Sequence, residues 1–353
     1  MSWTIRPGLN LRGTSAPLSG LDTRSWQGVR YFNGAGSSLL ALSEPGGTVA
    51  VPAIAQADAP LFRDPIHGGA TDPVVVYHRA AGEWCVLYSA ATSPRGATIG
   101  IATSSTGGRS WEYRGAPKGL DTVHSGRNSF WAPEVIWHGG TYHLYVSHVA
   151  GGRAARAGRG HILHYTSQDL VNWRFDRELE LSGEGCADAA VWPLPDGQTW
   201  RMWYTVPDGG VHAADSTDLS TWRPVSRSVC SPGQGAPSVF RFGGHYWMIT
   251  SGDRGLPVYR SHDLRTWFPQ SGPLLAEPGI RLGDNAPGRH GSVLTQDKRA
   301  HILYSCRFGQ ASCLQLAPLA VIDGRLTADR DTPSEVDWRP QSTVELRGGR
   351  RAT

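Results

Sequence analysis

The chain has 353 residues, among them 14 Trp, 11 Tyr, 44 Gly and 24 Pro. That length suffices for one large β domain or two smaller ones, and the abundant Gly and Pro favour turns over long helices. The formal net charge of +4 is mild and the basic residues are scattered, which argues against a nucleic-acid partner. No apolar run reaches the length that spans a membrane, so we expect no membrane partner.

The cysteines and the first residues bear on the compartment. The cysteine count is odd, and no two cysteines lie at a close metal-binding spacing. They are Cys85, Cys186, Cys230, Cys306 and Cys313. Residues 1–8 lack the apolar core of a secretory signal. Together these features predict reduced thiols in a cytoplasmic protein, and they leave the oligomeric state open.

The first 60 residues show little periodicity. Short strands are predicted at Val29–Phe32 and Ser38–Leu42, on either side of a Gly-rich turn, and Val49–Ala59 has the composition of an extended connector. We therefore expect residues 1–60 to form N-terminal strands and a connector packed on a main domain of residues 61–345.

The regular part of the chain begins near Leu61 and is built from repeated hairpins. In the clearest example, Val135–Trp137 forms an apolar strand, His138-Gly139-Gly140 a turn, and Tyr142–Val146 a second alternating strand. Each of five such hairpins has a polar residue just before its first strand. These residues are Asp72, Glu134, Asp188, Gln234 and His290.

A closing tag, Ser-x-Asp-Leu-x-x-Trp, ends three of these units at Trp173, Trp222 and Trp267, and a degenerate copy ends at Trp111. A repeat of about 40 to 50 residues with four strands is typical of propeller blades, so the sequence predicts an all-β, five-bladed β-propeller. We expect the tags to be structural, with the Asp or Ser capping a turn and the Trp packing between blades.

The propeller geometry predicts where chemistry would lie. The first strand of each blade lines the central channel, and the loops that lead into those strands gather at one mouth of it. The five polar residues named above should therefore meet in one pocket, although they are far apart in the chain.

The sequence resembles family forty-three glycoside hydrolases and their uncharacterised relatives over about Leu61 to Cys306. The runs that carry the resemblance are Thr71-Asp72-Pro73, Trp131–Ile136, Asp188–Trp192, Gly235–Phe240 and Arg289–Leu294. The resemblance implies inverting hydrolysis of a β-xyloside or an α-L-arabinofuranoside, in which one carboxylate activates water and a carboxylic acid protonates the leaving oxygen. On the family pattern Asp72 matches the general base, and Asp188 matches the residue that orients the acid and tunes its pKa.

The fourth unit departs from the family. There the family places its general acid as Glu in a Glu-Gly-Pro run, whereas this chain reads Gln234-Gly-Ala-Pro237. An amide has no proton to give, so Gln234 is expected to bind substrate rather than act as the acid. Glu134, on the second blade, and Glu184 are the alternative candidates for the acid.

The remaining site candidates are one histidine, two arginines and two tryptophans. His290 matches a fifth-blade histidine near a sugar or a hydrated cation, so we expect no dedicated metal or cofactor, and at most a water-coordinated Ca²⁺ or Na⁺ ion. Arg254 and Arg289 are candidates for binding hydroxyls or an anionic group. Trp131 and Trp192, which flank the carboxylates, are candidates for stacking on a sugar face, although core packing explains each equally well.

Three functions remain open from the sequence. The first is a glycosidase of the family forty-three type, acting on a small-molecule or oligosaccharide substrate with a relocated acid. The second is a non-hydrolytic protein that kept a sugar-binding pocket. The third is a tailoring enzyme of a small metabolite that uses Asp72, Glu134 and Asp188 for proton transfer.

Overall fold

The computed structural model describes residues 56–92, 96–150, 160–182, 185–207, 210–226, 229 and 234–340, together with the course of three strands near the N-terminus. Contacts divide the chain into two units, Met1–Ile54 and Ala55–Thr353. The first unit contains one antiparallel sheet with the strand order β1 (Asp22–Trp26), β2 (Val29–Asn33) and β3 (Leu39–Ser43). Its second and third strands match the two predicted ones, and the first was missed.

The second unit contains five four-stranded antiparallel sheets, each built from strands that are consecutive in the chain. Blade 1 holds β4 (Ala70–His78), β5 (Glu83–Thr92), β6 (Gly96–Ser104) and β7 (Glu112–Gly115). Blade 2 holds β8 (Asn128–His138), β9 (Thr141–Ala150), β10 (His161–Ser167) and β11 (Arg174–Glu178). Blade 3 holds β12 (Ala187–Pro193), β13 (Trp200–Val206), β14 (Gly210–Ser216) and β15 (Arg223–Ser226).

Blade 4 holds β16 (Gly235–Phe242), β17 (His245–Ser251), β18 (Val258–Ser261) and β19 (Phe268–Pro269). Blade 5 holds β20 (Arg289–Gln296), β21 (Arg299–Phe308), β22 (Ala311–Ile322) and β23 (Arg325–Ala328). The first strands touch one another in a closed cycle, β4 to β8, β12, β16, β20 and back to β4. The predicted five-bladed β-propeller is therefore confirmed.

Every first strand contains a bulge at the same place. The residue at the bulge has a positive φ, between 45° and 55°, in each of the five strands. These residues are Asp72, Ala132, Asp188, Ala236 and His290. The ladder to the second strand shifts register at each of them, and three are followed by proline, which sheets tolerate at bulges. The bulge redirects the side chain out of the strand's regular alternation.

The bulges also join neighbouring blades. The backbone N–H of a bulge residue donates to a hydroxyl on the second strand of the preceding blade: Ala132 to Ser89 at 2.8 Å and Asp188 to Ser147 at 2.9 Å. Ala236 donates in the same way to Thr205 Oγ1 at 2.9 Å. A repeated hydrogen bond therefore ties the bulges of blades 2, 3 and 4 to the blade before each of them.

The closing tags have the structural role that the sequence predicts. In the tag of blade 3, Asp218 accepts hydrogen bonds from the backbone N–H groups of Ser220 and Thr221. Leu219 adopts a φ of 64°, and Trp222 packs edge-on against Tyr145 of blade 2 with ring centroids 5.7 Å apart. The tag thus caps a turn and seals the contact between two blades.

The segment after blade 5 closes the ring against blade 1. Trp338 is 5% exposed and packs edge-on against Trp84 and Trp111. The Trp84 indole N–H donates to the Trp338 carbonyl at 3.1 Å. On the other side of this junction Phe62 pairs with Leu314 of β22 through two backbone hydrogen bonds. The first and last blades are therefore held together by packing and by short extended segments.

Four cysteines, Cys85, Cys186, Cys306 and Cys313, are free and buried, and Cys230 lies outside the described residues. Of the described residues, none belongs to a helix with the length and apolar character needed to cross a membrane.

Candidate active site at the propeller mouth

The first strands enclose a cavity of about 400 Å³, counting its open mouth. Four of the predicted site residues line it: Asp72, Glu134, Asp188 and His290. The rest of the wall is small, and consists of Pro73, Ala132, Pro133, Ala189, Ala236, Pro237, Ser238, Gly291 and Ser292. Asp72, Asp188 and His290 converge because they occupy equivalent bulges, and Glu134 reaches the cavity from beyond the bulge of β8.

Asp72 lies at the bulge of β4, and its side chain is 12% exposed. Its Oδ1 lies 2.9 Å from Nδ1 of His290, and the Thr71 hydroxyl donates to its Oδ2 at 3.2 Å. Burial alone raises the pKa of Asp72, but the charge of His290 and the hydrogen bonds outweigh burial and lower the pKa to about 2. Asp72 is therefore ionised at neutral pH.

His290 occupies the equivalent bulge of β20, so the two side chains meet across the junction of blades 5 and 1. Burial lowers the pKa of His290, whereas the charges of Asp72 and Asp188 raise it and prevail, giving a pKa of about 9. The imidazole is thus a cation at neutral pH, placed between two carboxylates.

Glu134 lies two residues beyond the bulge of β8. Its Oε1 accepts a hydrogen bond of 3.0 Å from the backbone N–H of Val191, on the first strand of blade 3. Burial raises the pKa of Glu134 to about 8, and this single backbone hydrogen bond offsets only part of the effect. Glu134 is therefore a neutral carboxylic acid at neutral pH, unlike Asp72 in the same cavity.

Asp188 completes the group from the bulge of β12. Its backbone N–H is fixed by Ser147, and its charge contributes to the raised pKa of His290. The cavity thus combines an ionised carboxylate, a second acidic side chain and a neutral carboxylic acid. Such a set can accept a proton at one end of a ligand and donate one at the other.

Blade 4 differs from the sequence alignment. The bulge position belongs to Ala236, and Gln234 lies two residues earlier, outside the cavity wall. The Gln234 Oε1 accepts hydrogen bonds from the hydroxyls of Tyr259 and of Thr250, the latter at 3.2 Å. Each first strand begins before its bulge and continues after it. When the blades are aligned on their bulges, Ala236 and not Gln234 is equivalent to Asp72.

Counting back from Pro237 also moves the family's acid position from Gln234 to Gly235. A Cβ at Gly235 would lie 2.8 Å from Cγ2 of Thr205, so a larger side chain there would require a shift. In the described part of blade 4, no carboxyl group lines the cavity. Glu134 is consequently the candidate acid that the described residues offer, since Glu184 lies outside them.

The aromatic candidates lie away from the cavity wall. Trp192 packs with the apolar clusters of blades 3, 4 and 5. Trp131 precedes the bulge of β8 and has its ring edge beside the backbone of Gly160. The position of Trp192 fits the core-packing alternative that the sequence left open, whereas Trp131 is half-buried and belongs to no apolar cluster of the described residues.

The two arginine candidates are exposed. Arg254 lies in the turn between β17 and β18, and it is not part of the cavity wall. Arg289 begins β20 directly before His290, and its charge slightly opposes protonation of that imidazole. Arg289 is therefore the arginine that lies near the mouth.

Sequence reasoning missed the bulge itself and the small residues that it brings to the wall. A signal was present in the three dipeptides Asp72-Pro73, Ala132-Pro133 and Ala236-Pro237, which recur near the start of three first strands. Proline inside an otherwise apolar strand marks an edge or a bulge, and here it marks the bulge.

Fold and site together define a five-bladed β-propeller whose mouth holds a carboxylate beside a neutral carboxylic acid. Similar solved structures include a thermostable family-43 glycoside hydrolase (TM-score 0.61, 19% identity, 80% of this chain and 100% of that one). An exo-1,5-α-L-arabinanase from a bovine ruminal metagenomic library gives a TM-score of 0.57 at 18% identity, covering 76% and 99% of the two chains. A compost-metagenome β-xylosidase/α-arabinofuranosidase solved with xylotriose gives 0.55 at 14% identity, covering 74% and 94%. The chain therefore has the fold of the family-43 glycoside hydrolases.

Similarity in sequence covers less of the chain than similarity in structure. Two uncharacterized proteins of Mycobacterium tuberculosis are each 27% identical over 194 residues, which cover 49% of this chain and 64% of each of those proteins. The chain thus spans less than two thirds of the length of these relatives. No family model matches the sequence.

Proposed function

We propose that the protein is an inverting glycoside hydrolase in which Asp72 is the general base and Glu134 the general acid. The observation that carries this proposal is the opposite protonation of two carboxyl groups in one cavity, with a pKa of about 2 for Asp72 and about 8 for Glu134. Inverting hydrolysis requires one ionised carboxylate and one carboxylic acid on opposite sides of the scissile bond.

In the proposed reaction Asp72 takes a proton from a water molecule, and the water oxygen attacks the anomeric carbon. The bond from that carbon to the leaving oxygen breaks, and Glu134 gives its proton to the leaving oxygen. Asp72 ends protonated and Glu134 ionised, so exchange with solvent restores the starting state. Asp188 is proposed to hold His290 as a cation and to orient the acid.

A pentose-type glycoside, either a β-xyloside or an α-L-arabinofuranoside, is the proposed substrate class. The arabinanase and the β-xylosidase/α-arabinofuranosidase among the similar structures support this class. Arg289 is a candidate contact for a hydroxyl or an anionic group at the rim.

We also propose that this cavity holds no dedicated metal or cofactor. His290 is the residue that the family resemblance connects with a hydrated cation. In this chain its Nδ1 lies 2.9 Å from Asp72, and the neighbouring carboxylates raise its pKa to about 9. Because this nitrogen already faces a carboxylate oxygen, and because one histidine does not make a metal site by itself, we expect no ion bound directly to His290.

The leaving group of the substrate tests the two roles separately. Purified protein is assayed on xylosyl and arabinofuranosyl substrates with a poor aryl leaving group and with fluoride, which leaves without protonation. Glu134→Gln should lose about 10²- to 10⁴-fold on the aryl substrate and keep most of its activity on the fluoride. Asp72→Asn should lose both activities. Equal loss on both substrates in Glu134→Gln would contradict its role as the acid.

A specific observation favours a second candidate, a protein that binds a sugar without cleaving it. The ion pair with His290 makes Asp72 a weak base, because a pKa of about 2 disfavours removal of a proton from water. The same series of variants separates the candidates. Saturable pentose binding without turnover of either substrate, insensitive to Asp72→Asn, would support binding alone.

A further inference from the structure

The hairpin at the opposite end of β4 brings three metal-binding side chain types together. His78 ends β4 and pairs directly with Glu83, the first residue of β5, while Cys85 pairs with Val76. Residues two apart on one strand share a face, and directly paired residues lie about 4.5–5.5 Å apart at Cβ. The register therefore places His78, Glu83 and Cys85 on one face, the one that packs toward blade 2.

The ligand atoms of these three side chains also lie close together. One ligand atom from each of the three residues lies within 4.8 Å of the other two. The His78 Nε2 is buried and, within the described part of the chain, has no hydrogen-bond partner. A buried polar atom without a partner is unfavourable, so an ion bound by His78 would satisfy a nitrogen that is otherwise unpaired.

We propose that His78, Glu83 and Cys85 form a site for a divalent transition metal, with zinc as the preferred ion. Zinc binds imidazole nitrogen, carboxylate oxygen and thiolate, in tetrahedral sites at about 2.0–2.3 Å from each ligand. Ligands at those distances are about 3.3–3.8 Å apart, so side-chain movements of about 1 Å close the group around an ion. A water molecule would complete four-coordination.

The metal site and the carboxyl cavity are separate. Asp72 and His78 are six residues apart on β4, which is about 20 Å along an extended strand. The site therefore has no place in the proposed glycoside chemistry. It lies in the first hairpin of blade 1, at the junction with blade 2. At this junction the Tyr142 hydroxyl accepts a hydrogen bond from the Arg79 N–H and donates one to the Tyr77 carbonyl.

The electrostatic surroundings set the conditions for binding. Burial and the charge of Glu83 raise the pKa of the Cys85 thiol to about 12, and Arg114 lowers it only in part. Arg79 and the Tyr142 hydroxyl are the other ionisable groups nearby. A metal binds the thiolate form of cysteine, so the Cys85 thiol releases its proton to solvent when the ion binds.

Cobalt binding tests the proposal directly. Metal-free full-length protein is titrated with Co²⁺ without oxygen, followed by absorption, and with Zn²⁺ by equilibrium dialysis. We expect one ion per chain and a thiolate-to-cobalt absorption band that disappears in Cys85→Ser. His78→Ala and Glu83→Gln should each weaken binding by at least about 10-fold. Cys186→Ser, which removes another buried free thiol, is the matched control and should keep the band.

Two results would overturn the site: no saturable binding at one ion per chain, or binding that Glu83→Gln and Cys85→Ser leave unchanged. Glu83 is only partly buried, so its variant remains informative if loss of the buried Cys85 thiol impairs folding. Glycosidase activity is not part of the measurement, so the result does not depend on the proposed function.

Discussion

The bulges at the mouth and the closing tags are two sets of repeated positions. Both require an unusual backbone conformation, but they use their side chains differently. Each places a non-glycine residue at positive φ, such as Asp72 (50°) and Ala236 (48°) at the bulges and Leu170 (58°) and Leu219 (64°) in the tags. Such residues are uncommon and need support from their surroundings. Hydroxyls on the preceding blade support the bulges, and Asp-capped turns support the tags.

The side chains at these positions then diverge. The tags of blades 2, 3 and 4 keep Asp, Leu and Trp, because each must cap the same turn and fill the same gap between blades. The bulges carry two Asp, two Ala and one His on equivalent backbone. Repetition therefore marks what the fold needs from every blade, whereas differences among equivalent positions mark what the cavity needs from individual blades.

The largest effect should come from removing one charge at the mouth. Asp72→Asn should lower kcat by about 10²- to 10⁴-fold, because an amide cannot accept the proton of the attacking water. Asp218→Asn makes the same chemical change in a tag and should leave kcat unchanged. Kinetics on an aryl pentoside, with circular dichroism as a check of folding, measures both. Equal losses in the two variants would remove the functional distinction between bulge and tag.

Removing the Trp of a tag should have the opposite pattern of effects, in which stability falls and activity is retained. Trp222 is 5% exposed and packs on Tyr145, so Trp222→Ala should lower the free energy of unfolding by about 3–5 kcal/mol. Denaturant unfolding measures this loss. Activity per folded molecule should be retained, because the tag does not touch the cavity. A variant of unchanged stability would show that blade junctions do not depend on the tag.

The pH dependence of stability tests the buried acid. The folded pKa of Glu134, about 8, lies above the unfolded value of about 4.5, so the unfolded chain ionises first as pH rises. The destabilisation is absent below pH about 4.5, grows from 4.5 to 8 and is constant above that. Glu134→Gln removes it and should stabilise the protein by up to about 5 kcal/mol above pH 8 and by little at pH 4. Urea unfolding of both proteins across this range gives the difference.

A second variant shows whether the gain in stability belongs to Glu134 in particular. Asp72→Asn should have the opposite effect at neutral pH, because it leaves the partly buried His290 cation without its partner. If Glu134→Gln instead destabilised the protein more and more as the pH rose above about 4, the carboxyl group would be ionised in the fold, and its assignment as an acid would fail.

The sequence predicted the propeller because its signals are local and repeated. Hairpin alternation, Gly turns and the tags ending at Trp173, Trp222 and Trp267 each concern a few neighbouring residues. They located most strands, and the three carboxyl groups and His290 do line one cavity. The protonation of Glu134 could not be predicted, because it depends on burial and on a hydrogen bond from Val191, 57 residues away.

The alignment of blade 4 failed for a different reason. The sequence was aligned on apolar runs, which suggested that strands begin at Val74 and Val135, whereas β4 and β8 begin at Ala70 and Asn128. A bulge with proline interrupts the alternation of side chains without ending the strand. A shift of two residues was enough to exchange Gln234 for Ala236 at the cavity wall.

Among the smaller expected effects is the loss of one turn cap. Asp218 accepts backbone hydrogen bonds of 2.9 Å from Ser220 and 2.7 Å from Thr221. Asp218→Ala leaves both N–H groups to solvent and should lower the free energy of unfolding by about 1 kcal/mol. Asp196→Ala, which removes a similar cap from the turn of a hairpin, is the comparison in the same blade. Thermal or urea unfolding resolves a difference of this size.

The smallest expected effect concerns the residue that the sequence placed in the acid position. The Gln234 Oε1 faces the hydroxyls of Tyr259 and Thr250, and a carboxylate oxygen would accept the same hydrogen bonds. Gln234→Glu should therefore change turnover of an aryl pentoside by no more than about two-fold, the range of substitutions away from a site. Asp188→Asn, at a true bulge, serves as the contrast and should reduce turnover far more. A large gain in hydrolysis from Gln234→Glu would mean that blade 4 supplies the acid from outside the cavity described above, and that Glu134 is not needed as a proton donor.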